Sequence, residues 1–191
     1  SNSFIGVEKD SWQFTAKAAE TLYQYLPNVR FVNAFGLVNN IRLIKSESEI
    51  IYMRAAGEIA NLVMDAGVNC IKPGVRDCDV AAAISHAQFT GTAKYFGDYP
   101  AANPQLPSGD ATAAPHLTWS GVKYKDQDLT YIEIAGCHKR YHAPLARSVS
   151  LGQPSKWITN LEPIVNEGMN AVLESSLEGN SSHDVYGAWN S

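Results

Sequence analysis

The residues best equipped for chemistry lie close together in this sequence. The stretch from Asp126 to Gly152, DQDLTYIEIAGCHKRYHAPLARSVSLG, carries Glu133, Tyr141, His142 and Arg147. A carboxylate, an imidazole and a guanidinium can together hold a charged ligand and move a proton. Leu129 to Ala135 alternates like a strand buried on both faces. Leu129, Tyr131, Glu133 and Ala135 point one way, and Thr130, Ile132 and Ile134 the other. A carboxylate at such an inward position costs several kcal/mol, or takes up a proton, unless it finds a partner. Glu133 therefore sits near a strand end, is paired, or is functional. Arg140 to Leu151 reads as a second extended run, with Gly136-Cys137-His138-Lys139 as the hairpin turn between them. That hairpin would carry Glu133, His142 and Arg147 toward one region, either as a site or as a Glu–Arg pair across the strands.

Upstream, Ala113-Ala114-Pro115-His116-Leu117 places a histidine directly after a proline. Pro115 biases Ala114 toward an extended backbone, which fixes the loop. His116 is then either a proton-transfer group on a fixed loop or an ordinary loop histidine. Cys137, His138 and His142 are close enough to suggest a metal cluster, but their spacing does not fit a zinc ribbon.

The composition is that of an ordinary globular protein, with 45% hydrophobic and 18% charged residues over 191 positions. That length suits one domain, or one domain plus part of another. A net charge of −4 gives no reason to expect nucleic acid or an anionic membrane as partner. No apolar run approaches a membrane span, and no basic-then-apolar leader is visible. Three cysteines, Cys70, Cys78 and Cys137, argue against a disulfide framework and for a reducing, cytoplasmic setting. Ser1-Asn2 resembles a tag remnant and is set aside from the fold reading.

The positioning elements follow from periodicity. Phe4 to Val7 and Val29 to Val32 read as strands around a helix from Ser11 to Tyr25, which Pro27 ends. A lone βαβ unit cannot cover its own apolar faces, so residues 1 to 40 read as the end of a larger domain. Ser46 and Glu49 form a capping box for a helix that Gly67 is expected to stop. Its stripe is Tyr52, Ala55, Ala56, Ile59, Val63 and Ala66. After Pro73-Gly74, Asp77 is expected to cap a helix over 78–89 that buries Val80, Ala83, Ile84 and Ala87 and leaves His86 at or near the surface. Residues 91 to 109 form a Pro-rich loop, of a kind more often functional or disordered than idle. Thr159 and Glu162 suggest another capping box, with Pro163 in the first turn of a helix over 161–177. Ser182 would cap the last segment. The runs 73–80 and 178–185 share a Gly-turn, cap and helix start, a faint internal repeat.

Taken together, these pieces resemble the creatinase / aminopeptidase P / prolidase superfamily with its pita-bread fold. IRLIKSESEIIYMRAAGEIA is similar to the family's first helix, IKPGVRDCDV to its Pro-Gly turn and second helix start. The Pro115-His116 loop, YKDQDLTYIEIAG and the strand from Tyr141 to Ser148 follow in the family's order. The resemblance implies an α+β fold, the first part of a pita-bread catalytic domain with an antiparallel curved sheet and covering helices over 41–191. It implies the end of an N-terminal βαβ-type domain over 1–40. It also implies that a second half of the site lies beyond Ser191, so that an apolar wall is left open and the chain is incomplete or inactive as it stands.

In the metallopeptidase members, two Asp residues on this hairpin bind a pair of divalent metals. Here those positions hold Glu133 and, eleven residues on, Pro144. That departure resembles the metal-independent branch. There, as in creatinase, a Glu grips the guanidinium of the substrate; RYHAPLARSVSLG is also similar to the corresponding run of ectoine hydrolases. The resemblance implies His116 as catalytic proton shuttle, Glu133 as holder of a substrate cation, and Arg147, Tyr141 and His142 as substrate-binding residues. It implies no cofactor and no metal, a small amidine or guanidine substrate, and a homodimer. The alternatives are a metal-dependent Xaa-Pro peptidase with rearranged ligands, or a non-catalytic scaffold that binds a partner.

Overall fold

The computed structural model describes residues 4–191, so Ser1 and Asn2 lie outside the described residues. Two compact units, Ser1–Ile50 and Ile51–Ser191, divide the chain. In the first, β1 (Phe4–Val7) and β2 (Arg30–Asn33) pair in parallel, joined by α1 (Ala16–Tyr25). This is the expected βαβ order. The helix starts later than Ser11 because Thr15 caps it, its hydroxyl accepting from the Ala18 amide at 3.2 Å. A short helix, α2 (Leu37–Ile41), follows Gly36.

The long helix α3 (Glu47–Cys70) begins where the capping box predicts. The Ser46 amide donates to Glu49 at 2.8 Å, and the Glu49 amide to the Ser46 hydroxyl at 3.4 Å. It does not stop at Gly67. That residue is buried inside the helix, where a Cβ would meet Ile84 at 3.0 Å and Ile132 at 3.2 Å. Glycine was expected as a stop signal, and here it serves close packing. The turn instead comes at Gly74, whose φ of 87° only glycine adopts without strain.

Helix α4 (Asp77–Thr90) packs beneath α3 through Val80, Ala81, Ile84 and Ala87. His86 is exposed, as expected. Arg76 is its cap, and Asp77 does something else. The buried Asp77 carboxylate accepts from the Ser120 amide at 2.7 Å and the Gly121 amide at 2.8 Å, tying down the loop before β3.

Strands β3 (Leu129–His138) and β4 (Tyr141–Ser150) form an antiparallel hairpin. Its turn is Lys139-Arg140, both at positive φ (49° and 66°), as a two-residue turn of the twist-matched kind requires. Gly136, Cys137 and His138 therefore belong to the strand, not the turn. Thr130, Ile132 and Ile134 are buried, while Tyr131, Glu133 and Ala135 are only half-buried. The strand thus has one core face, and Glu133 lies on the other. The expectation of burial on both faces is corrected.

The core joins Ile59 and Val63 of α3, Val80 and Ile84 of α4, Leu106, Tyr124 and Ile132. Gly136 marks a point of backbone-to-backbone contact in it. A Cβ there would collide with the Ala56 carbonyl and the Ala60 amide of α3. Helix α5 (Lys156–Ser175) starts earlier than expected, capped by Ser155, so Pro163 lies within it rather than in its first turn. Helix α6 (Ser182–Asn190) has its capping box on Ser181 and Asp184 instead of Ser182. Trp189 of α6 sits over Gly168 of α5. The turn before α6 repeats a positive-φ glycine, Gly179 at 95°.

Gly136→Ala is expected to destabilise the chain by about 3 kcal/mol, at the upper end of overpacking costs, because the obstructing atoms are backbone and cannot swing aside. Chemical denaturation of the two proteins measures this; an unchanged midpoint would remove the contact from the core. A second expectation concerns Tyr124, which is 2% exposed and whose hydroxyl has no well-formed hydrogen bond. Burial pushes its pKa up to about 12, with the nearby Thr130 hydroxyl opposing the shift and Asp77 adding to it. Thr130 spends its own proton on the Pro107 carbonyl at 2.7 Å. A raised folded pKa means the unfolded chain loses its proton first. This contribution to stability is therefore complete below pH ~10 and falls as pH rises toward ~12, by on the order of 2 kcal/mol. Tyr124→Phe should abolish that alkaline loss in denaturation curves and leave stability at neutral pH unchanged or higher.

Candidate active site

The open face of β3 carries the site. Successive residues of a strand alternate faces, and directly opposed residues of a hairpin share one. The register pairs Glu133 with Ala146, Ala135 with Pro144 and Cys137 with His142. Those six residues share the face turned away from α3, which is open around Glu133 and covered at Cys137. Ile132 pairs with Arg147, and His138 with Tyr141, on the face that meets α3. Glu133 and Arg147 therefore point to opposite sides of the hairpin, and the expected convergence of the two does not occur. Arg147 is exposed, its guanidinium donating to the Ala146 carbonyl at 2.7 Å. Tyr141 stacks against Tyr52 of α3, with ring centroids 5.6 Å apart.

His142 is on the Glu133 side, but both its ring nitrogens are engaged. Nε2 accepts from the Ala101 amide at 3.0 Å, so Nδ1 carries the proton and donates to the Arg140 carbonyl at 3.0 Å. This makes His142 an anchor for the loop at residue 101. Cys137 is buried, and burial raises its thiol pKa, so the thiol is poorly suited to be a nucleophile or ligand. His138 is also buried, and its Nδ1 donates to the Phe96 carbonyl at 2.9 Å.

The Pro-rich loop supplies what the hairpin lacks. Gln105 runs antiparallel beside Glu133, the two exchanging backbone hydrogen bonds of 3.0 Å in both directions. The segment 104–108 is thus a third, irregular strand on the free edge of β3. This edge segment and β3 hold the histidine loop, one at each end. The Leu106 amide donates to the Leu117 carbonyl at 3.1 Å, and the Tyr131 hydroxyl to the Ala114 carbonyl at 3.2 Å. Between these anchors His116 adopts a left-handed φ of 59°, uncommon for a residue with a side chain. Its Nδ1 lies 2.8 Å from Gln105 Oε1 and 3.7 Å from Glu133 Oε2. The imidazole is 69% exposed and the Glu133 side chain 42% exposed, so both are open to a ligand.

The structure therefore brings His116 and Glu133 together and separates Arg147 and Tyr141 from them. It adds Gln105, which the sequence reading missed. The one available signal was Pro104 and Pro107 around it, since proline favours extended backbone.

A sequence profile of metallopeptidase family M24 matches residues 51–191. The chain belongs to family M24. Ectoine hydrolase from Halomonas elongata is 40% identical over 186 residues, covering 95% of this chain and 47% of that protein. An uncharacterized hydrolase/peptidase of Sinorhizobium fredii is 39% identical over 185 residues, covering 97% of this chain and 47% of its own length. The M24 chain thus spans about half the length of the curated relatives it matches. Its fold is similar to that of prolidase from Pyrococcus furiosus, with a TM-score of 0.84 at 22% identity over 98% of this chain and 53% of that one. X-Pro aminopeptidase from Thermotoga maritima gives 0.79 at 23% identity, over 90% and 46%. The α+β architecture is therefore that of the pita-bread superfamily.

A metal pair is what the family name implies, and toward it the hairpin offers one carboxylate, Glu133. Around Glu133 on its face, β4 presents Ala146 directly opposite and Pro144 and Ser148 diagonally, none of them a carboxylate. Among the described residues no three His, Cys, Asp or Glu are grouped to share an ion. A hard dinuclear site needs several carboxylates. The chain incubated with Mn or Co and then dialysed is expected to retain well under one ion per molecule by elemental analysis. Stoichiometric retention would overturn the donor argument.

Proposed function

We propose that this M24 chain carries the substrate-cation and proton-transfer half of a metal-independent hydrolase that opens C–N bonds in a small amidine such as ectoine. The observation that carries this reading is the pairing of His116 and Glu133 on an open face whose second carboxylate position holds Pro144. A planar amidinium matches a carboxylate through two parallel charge-assisted hydrogen bonds. Glu133 receives that cation. His116 takes a proton from the attacking water as it bonds to the amidine carbon, and returns it to the ring nitrogen as the C–N bond breaks. The similarity to ectoine hydrolase supports the substrate class. Arg147 and Tyr141 lie outside this ligand contact, because they occupy the other face, and His142 holds the loop. A metal-dependent Xaa-Pro peptidase is the second reading, and it lacks the donor set at Glu133 and Pro144.

Glu133→Gln is expected to weaken binding of ectoine by about 2 kcal/mol, the range for losing a charged hydrogen-bond partner, as titration calorimetry would measure. Turnover belongs to a chain of the relatives' full length bearing these residues. There His116→Ala is expected to lower kcat at least a hundredfold while affinity stays within a few-fold, in line with general acid–base contributions. Lost affinity with unchanged kcat would end the proton-shuttle assignment.

A further inference from the structure

Gln105 stands at the centre of the site without a role in the chemistry described so far. Its backbone is locked to Glu133 by the two 3.0 Å hydrogen bonds, so its side chain shares the open face with that carboxylate. Its Oε1 sits 2.8 Å from His116 Nδ1. The neighbouring Glu133 Oε2, 3.7 Å from the same nitrogen, is an acceptor in its ionised form. Two oxygens thus face Nδ1, and a nitrogen facing two acceptors carries the proton. An amide turned the other way would put an NH2 group against Nδ1 and leave the carboxylate facing a bare lone pair, which is the less favourable arrangement.

We propose that Gln105 is a positioning residue that fixes the tautomer of His116: Nδ1–H donates to Gln105 Oε1, and Nε2 is left unprotonated as the base. This rests on the reading of His116 as the proton shuttle. A shuttle on an exposed loop needs such a partner. An imidazole that is 69% exposed would otherwise rotate and divide its proton between both nitrogens, and only one tautomer presents a lone pair at Nε2. Gln105 suits the task because its main chain is part of the sheet. The loop anchors at Ala114 and Leu117 fix the backbone of His116, and Gln105 fixes its ring. An uncharged acceptor also leaves the Glu133 carboxylate available to a ligand, which a second carboxylate at position 105 would compete with.

The test is nitrogen NMR of the His116 ring in the 15N-labelled chain, above the pH at which the ring is neutral, assigned by comparison with His116→Ala. The expected result is a protonated-type Nδ1 and an unprotonated-type Nε2. In Gln105→Met, which removes the acceptor while keeping the shape, the major tautomer should reverse or the two resonances should average. Gln105→Glu restores an acceptor and should restore the protonated Nδ1. An Nε2–H tautomer in the unmodified chain overturns the proposal without needing any variant. An unchanged tautomer in a folded Gln105→Met chain overturns it as well. Because this readout does not depend on turnover, a chain that binds no amidine but shows the Gln105-dependent tautomer would fail the functional reading alone.

Discussion

At Gly136 the backbone of β3 lies directly on the backbone of α3, with no side chain between them. The carbonyl of Ala56 and the amide of Ala60 occupy the place where a Cβ would be. Those two alanines are one helical turn apart and both buried, so the helix offers a flat seat to the strand. Gly67, further along α3, makes a second close approach against Ile132 and Ile84. Two such points fix the height of β3 above the helix and its position along it. The consequence for the site is a matter of parity. Glu133 is an odd number of residues from Gly136, so pressing Gly136 inward turns Glu133 outward. A slip of one residue would bury the carboxylate and expose Ile132 and Ile134.

The partner of Glu133 arrives by a different route. Residues 104–108 complete the sheet on the edge that β4 leaves free, and the loop carrying His116 hangs from that edge strand and from Tyr131. Both anchoring hydrogen bonds involve backbone carbonyls of the loop, at Ala114 and Leu117, so the loop is held by its main chain. The left-handed backbone at His116 persists because both sides of it are tied. The site is therefore shared between a strand set by the core and a loop set by the strand. A ligand that displaced the imidazole would have to work against this ladder.

Sequence patterns made the elements legible where one physical signal dominated. The capping box at Ser46 and Glu49 placed the start of α3, and hydrophobic alternation placed β3. Where one residue type serves two purposes the reading failed. Gly67 has the chemistry of a stop signal and the size of a packing contact, and only the neighbouring Ile84 and Ile132 decide between them. Arg147 was expected beside Glu133 because both lie on one hairpin. Whether the turn is Gly136–Lys139 or Lys139-Arg140, it holds an even number of residues, so Arg147 opposes a residue of the Ile132 face in either register, and sharing a hairpin does not mean sharing a face. Asp77 looked like a cap because it precedes a helix, yet its oxygens serve a loop more than forty residues away. Gln105 was invisible for a further reason. Its importance lies in its pairing with Glu133 across 28 residues of sequence, and a single glutamine in a loop carries no local pattern.

Pro144 shows how little the backbone constrains the chemistry at this site. Glu133 spends its amide and carbonyl on Gln105, so by alternation the amide and carbonyl of Ala135 also point away from β4. The Ala135 carbonyl accepts from the Gln88 side chain at 3.2 Å, consistent with that direction. Pro144, opposite Ala135, thus occupies a position where β4 owes no ladder bond and the missing N–H costs nothing. A carboxylate or a proline can stand there with the same fold, and the difference between them is purely electrostatic. Two dications would need several anionic ligands, and β3 and β4 present Glu133 alone on this face. One carboxylate balances one monocation, whether the imidazolium of His116 or a protonated amidine. When His116 is neutral, that charge is left to a ligand, which is the place the proposed function gives to a cationic substrate.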